Sequence, residues 1–304
     1  MIVLAAALVA SAMIGVGAEW RAGAGARRSA EVLLRIVLWV VLPFVGFVNI
    51  NALELTAEVG AGLGFAWVAA LATVGLAYLL GSRVLHLSRA ATGGLMLVAG
   101  IANTGYLGVP FTAALFGSDH IPDAITYDVL VNAILSVTVG FAIGAGFGTA
   151  AEGVRERMIV FFVRNPPLWA TVLAFVAPHA LAPEWMLDAT HVVVLAVVPI
   201  GFYAVGVSLA SEAEEGAAVF PPPLSAPVVS GVVLKLLVPP AIVLALSTAI
   251  IDIPDVYVTQ AAMATGLTSL AIAHEFGLDR ALVAAVIAWT TTLVLVAGLV
   301  ASAV

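Results

Sequence analysis

The chain contains no cysteine and a single lysine, and charge of either sign is scarce along it. Without thiols there is no disulfide framework, no thiol nucleophile and no thiolate-held metal. Asp, Glu, Lys and Arg together make up 10% of the 304 residues. A soluble globular domain carries about 25%, so an ordinary water-soluble globule is excluded. The five histidines form no H-E-x-x-H arrangement, which leaves zinc hydrolysis without a motif. Segments between the apolar runs do not exceed about sixteen residues, too few for a soluble catalytic or regulatory domain. Any chemistry falls to the apolar segments and their breaks, and neither a cofactor, a metal centre nor a nucleic-acid partner is expected.

What fills the chain is hydrophobic: 63% of residues, with a mean hydropathy of +1.17. Apolar stretches of about 18 residues or more recur from end to end, each long enough to cross roughly 30 Å of hydrocarbon as a helix. The runs are continuous rather than alternating, which excludes a membrane β-barrel. The fold class is all-α, polytopic and membrane-embedded. Glycine, proline and charge clusters divide the chain into ten expected spans: 1–18, 32–52, 61–82, 92–116, 122–149, 165–183, 189–211, 225–249, 254–276 and 281–303. The opening MIVLAAALVASA is similar to the apolar part of a signal peptide but has no basic region before it. It reads as a retained first helix.

The basic residues orient these spans. Arg21, Arg27, Arg28 and Arg35 stand at the first connection, Arg83 and Arg89 at the third, Arg155, Arg157 and Arg164 at the fifth, and Arg280 at the ninth. The opposite connections carry the acids Glu54, Glu58, Asp119, Glu184, Asp252 and Asp255. Arginine-rich short loops stay in the cytoplasm. A plasma-membrane protein with both termini outside is expected. The seventh connection, with Glu212, Glu214 and Glu215, adds nothing to this rule.

The fourth span holds GIANTGYLGVPF at 100–111, a sequence hostile to an undisturbed helix. Pro110 offers no N–H to the preceding turn, and Gly100, Gly105 and Gly108 let the backbone unwind or approach a neighbour. The ninth span carries the similarly polar QAAMATGLTS at 260–269. Each of these follows, at a like distance, a proline-bearing span: VLPFVGFVNI around Pro43 and VVPIGFYAVGVSL around Pro199. Ten spans make two sets of five, and an odd unit duplicated re-enters the membrane inverted. The expected repeats are 1–149 and 165–304, joined by a short cytoplasmic connector at 150–164. Interrupted segments at matching places in two repeats mark a transporter's binding site. Half-helix N-termini meeting there favour an anion. Asn103, Thr104, Gly105, Pro110, Thr265, Gly266, Thr268 and Ser269 are the expected substrate-binding residues. Small residues packed closely for their own sake are the structural alternative.

At these residues the chain resembles the auxin efflux carrier family. The resemblance runs over nearly the whole chain, through LPFVGF, NTGYLGVPF, NPPLWA, GVSL, KLLVPP and LAIAHEFG in that order. It implies two inverted five-helix repeats with helices 4 and 9 broken and crossing near the substrate. It also implies a scaffold of helices 1, 2, 6 and 7 that forms a homodimer through helices 2 and 7. Helices 3–5 and 8–10 would then form a transport domain moving in elevator fashion. By the same resemblance Asn103 meets a substrate carboxylate and Pro110 marks the helix 4 break. One departure is Ala264, where the family usually has proline after methionine; Gly266 permits a break there without forcing one.

Two charges fall inside spans. Lys235 lies about ten residues into the eighth, near mid-depth, where a charge costs about 2.5–3.5 kcal/mol. It fits a structural pair with Asp128, attraction of an anionic substrate, or a coupled proton. Asp128 fits a proton or cation site, or a wet residue near the outer surface. Asn132, Ser136 and Thr138, and Thr290 to Thr292, are expected to look toward the breaks, their hydroxyls satisfying neighbouring carbonyls. His191, His274 and Glu275 are placed at helix ends, and Trp39, Trp67, Trp169, Trp185 and Trp289 at the membrane interfaces or in packing. The expected function is a secondary transporter or uniporter of small organic anions. The rivals are a sodium-coupled carrier of the bile-acid symporter type and an intramembrane enzyme using Asp252 and Asp255 on magnesium.

Overall fold

Helix is the only regular structure such continuous apolar runs can adopt in lipid, because every backbone group must be satisfied within its own segment. The computed structural model describes residues 2–51, 59–117, 120–149, 156, 159, 162–163, 165–214, 221–222 and 224–301. Glu54, Glu58, Asp119, Arg155, Arg157, Arg164 and Glu215 lie outside the described residues. Among those described, five helical stretches are long and apolar enough to cross a membrane: Ala24–Val48, Gly60–Val84, Asp123–Phe147, Ala226–Ala249 and Arg280–Ala301.

The helices follow in order. Helix α1 is Ile2–Ala22, and α2 (Ala24–Ile36) runs through a π-helical turn at Val37–Val41 into α3 (Leu42–Asn51). Helix α4 (Val59–Leu79) ends in another such turn, and α5 (Arg89–Gly100) leads to a break before α6 (Val109–Phe116). The fifth expected span is α7 (Ile121–Tyr127), π-helical turns at Asp128–Ala133 and Ser136–Gly140, and α8 (Phe141–Phe147). The second half comprises α9 (Pro166–Val176), α10 (Glu184–Glu214), α11 (Ala226–Ala249), α12 (Asp255–Ala261), α13 (Thr268–Phe276) and α14 (Arg280–Ala301).

The second, sixth and seventh spans differ most from the sequence reading. The second span begins at Ala24 rather than 32, because Ala26, Ala30 and Leu34 repeat at a helical spacing and bury one face while the arginines occupy the rest. The sixth span is expected over 165–183, but α9 stops at Val176, where Ala177 is extended ahead of Pro178. Its last carbonyls find a donor in Asn51, whose Nδ2 lies 3.0 Å from the Ala174 oxygen and 2.9 Å from that of Ala177. The seventh span is longer than expected, 31 residues with Pro199 inside it.

The packing is reciprocal between halves. Helix α1 lies along α10, and α9 lies along α3. In the same way α4 packs on α5 and α11 on α12, while α14 packs on α5 and α7 on α12. Several arginine-bearing connections gather at one end. Arg27 pairs with Glu19 at 2.5 Å, Arg280 lies 3.9 Å from Glu31, and Arg89 donates to the Gly146 carbonyl.

Candidate functional site

Helix α5 ends at Gly100 because Ile101 is extended, with φ −90° and ψ 125°. The chain turns helical again only at Thr104, through a π-helical turn that runs to Gly108. The uncoiled residues are therefore 101–103. Pro110, expected to mark the break, instead stands in the first turn of α6 just past the widened turn. The ninth span is broken without proline. Helix α12 stops at Ala261, and α13 starts at Thr268.

The two breaks cross and satisfy each other. Ala102 and Thr265 form an isolated antiparallel bridge. Asn103 N–H donates to the Ala264 oxygen at 2.7 Å, and Gly266 N–H donates to the Ile101 oxygen at 3.0 Å. The remaining amides of the bridged pair are met from the helices alongside. Asn132 Oδ1 accepts from Ala102 N–H at 3.0 Å, and Thr290 Oγ1 accepts from Thr265 N–H at 3.1 Å. Backbone groups orphaned at this depth would each cost several kcal/mol, roughly. Gly266 is required by this contact, since a Cβ there would come within 2.6 Å of the Ala102 oxygen. Close approach, rather than a proline, is what breaks the ninth span.

The expected site residues divide into committed and free. Thr265 Oγ1 donates to the Val98 oxygen at 2.9 Å, and Ser269 Oγ to that of Leu97 at 3.5 Å. Both hydroxyls thus close off the end of α5. Thr268 is half-buried. Thr104 Oγ1 donates to Asp128 Oδ1, and Asp128 also accepts from Asn132 Nδ2 at 3.3 Å and from Gly105 N–H. Asp128 is therefore at the crossing, not at the outer surface. Asn103 stands at the N-cap of the resumed helix, is 2% exposed, and makes no capping bond. Its Nδ2 and Oδ1 are both buried without a partner.

Lys235 of α11 is also 2% exposed. With Tyr127, Asn132, Gly100, Ala102 and Pro239 it lines a cleft of about 10 Å³, room for one water. Among the described residues no carboxylate lies within ion-pair distance of it, so the expected pair with Asp128 is not formed. Pro239 follows Lys235 by one turn and deprives its carbonyl of a helical donor.

Sequence reading passed over Gln260. Its Nε2 donates to Thr112 Oγ1 at 2.9 Å, and its Oε1 is buried without a partner. It presses on Gly108, where any Cβ would overlap its amide. A glutamine in the last turn before a break was the available signal.

A family model described as "Membrane transport protein" matches residues 5–301. The chain belongs to this family, that of the auxin efflux carriers. It is thus a multi-pass membrane transporter and not an enzyme. A similar relative is an uncharacterized transporter of Methanocaldococcus jannaschii, 27% identical over 278 residues that cover 86% of this chain and 85% of that one. An uncharacterized transporter of Methanothermobacter thermautotrophicus is 33% identical over 85 residues, 28% of this chain and 26% of its own.

Proposed function

We propose that the chain carries small organic anions, carboxylates, across the plasma membrane as a secondary transporter or uniporter, binding them at the crossing of the two breaks. The observation that carries this reading is the Asn103 amide, fully enclosed with neither atom bonded. A buried unpaired polar group costs about 1–3 kcal/mol, and a carboxylate accepting from Nδ2 would remove part of that cost. Thermal-shift measurements on the purified chain against a panel of mono- and dicarboxylates, with and without sodium, test it. Stabilisation by some of these acids is expected. A panel that leaves the melting curve unmoved would sink the reading.

The architecture we infer is ten helices in two inverted five-helix repeats, 1–149 and 165–304. The reciprocal packing supports it, as does the exchange at the bridge, where Asn132 serves Ala102 and Thr290 serves Thr265. Helices 1, 2, 6 and 7 pack chiefly on one another and would be the scaffold, while 3–5 and 8–10 would move against them as an elevator. The basic end would face the cytoplasm, leaving both termini outside. Exposed Ile36, Trp39 and Val40 on helix 2 and Val192 on helix 7 fit either lipid or a second copy of the chain. A homodimer through these helices is part of the proposal.

A further inference from the structure

The crossing already holds a carboxylate of its own. An asparagine at an N-cap ordinarily accepts a backbone N–H of the first turn, yet Asn103 makes no such bond. Asp128, reaching from the neighbouring helix, does that work: it accepts from Thr104 Oγ1 and from Gly105 N–H, with Asn132 Nδ2 holding the same oxygen. The chain dips toward it at Gly105, where a Cβ would lie 2.6 Å from Asp128 Oδ2. The donors best placed for an incoming anion are therefore spent on a tethered one, while the adjacent Asn103 amide stands idle.

Among the described residues no ion pair offsets this arrangement. The titratable groups on the elements nearby, among the described residues, are Asp123 and Tyr127 on its own helix, Tyr257 of α12 and Lys235 of α11. None of the described ones makes an ion pair with it. Tyr127 and Tyr257 lie ring to ring at 5.6 Å, with the Tyr257 hydroxyl buried and unpartnered. Two carboxylates at one half-helix end repel in a poorly solvated site. An ionised carboxylate only accepts hydrogen bonds, whereas a protonated one must donate one and accepts less readily. A proton taken from water by an Asp128 oxygen would therefore remove the repulsion and loosen the Thr104 and Gly105 bonds together.

Resting on the anion-transport reading above, we propose that Asp128 is the coupling residue: it closes the half-helix end while ionised, and its protonation admits the substrate carboxylate, so that one proton travels with each anion. The full chain reconstituted in liposomes with a trapped pH indicator tests this, using gluconate and succinate as membrane-impermeant probes. With one proton per gluconate, accumulation of about tenfold per pH unit of inward proton gradient is expected, with matching proton influx. Asp128→Asn is expected to abolish both the gradient-driven accumulation and the pH dependence of probe binding. Wild-type uptake without proton influx, or uptake driven by sodium instead, would overturn the coupling role and leave the anion reading standing. If neither probe binds or moves, both readings fall. The wild-type proton measurement keeps the proposal testable even if the variant does not fold.

Discussion

Asn103 and Gly108 are the two residues at the crossing whose substitutions should separate binding from packing. Asn103 donates its backbone N–H to the bridge but leaves its side chain unused. Asn103→Ala deletes two buried unpaired atoms, so its melting temperature should equal or exceed that of the wild type. Substrate binding should weaken by about ten- to a hundredfold, the worth of a hydrogen bond to a charged group. Titration calorimetry and thermal denaturation on one preparation separate these effects, and undiminished affinity would remove Asn103 from the site. Gly108→Ala is expected to act the other way, through packing. Its Cβ overlaps Gln260 Oε1, and forcing an atom into a full core costs about 1–3 kcal/mol. A melting temperature equal to the wild type would show that Gln260 swings aside freely.

At the scale of the element, each broken helix is held by a polar residue from the helix that follows it. Thr290 Oγ1 accepts the Thr265 N–H and donates to the Val286 oxygen at 2.7 Å. Thr290→Val keeps the shape and removes the acceptor, leaving a buried N–H unpaired at a cost of about 1–3 kcal/mol. Lowered thermal stability with faster amide exchange at residues 262–267 is the expected outcome. Wild-type exchange there would mean that the bridge alone holds the break. The polar segments 100–111 and 260–269 were legible from composition as places where helix fails. Which residue did the breaking was not: proline is visible in a sequence, whereas Gly266 matters only because the Ala102 carbonyl presses against it.

For the whole molecule, the question is whether the helix groups move past one another. Gly201 of α10 faces the second break, and a Cβ built there would lie 3.3 Å from that of Leu267. That is close to the roughly 3.5–4.5 Å a disulfide needs. The native chain has no cysteine, so a Gly201→Cys, Leu267→Cys pair would cross-link on a clean background. Oxidation should stop transport, and reductant should restore it. Full turnover with the cross-link closed would refute motion between these helices.

Composition and periodicity alone determined the membrane setting, the helical class, the gathering of basic residues at one end and the two segments where helix gives way. These follow from short-range rules: apolar length, backbone satisfaction and the deficits of glycine and proline. Only the tertiary structure decided which polar groups meet. Thr265 and Ser269 turn out to serve the carbonyls of α5. Lys235 and Asp128, for which a mutual pair was one of the expected uses, form none, and Asp128 is bonded into the first break. The reason is physical: a hydroxyl or carboxylate takes its role from the nearest unpaired group, and at a crossing of distant segments that partner lies far away along the chain.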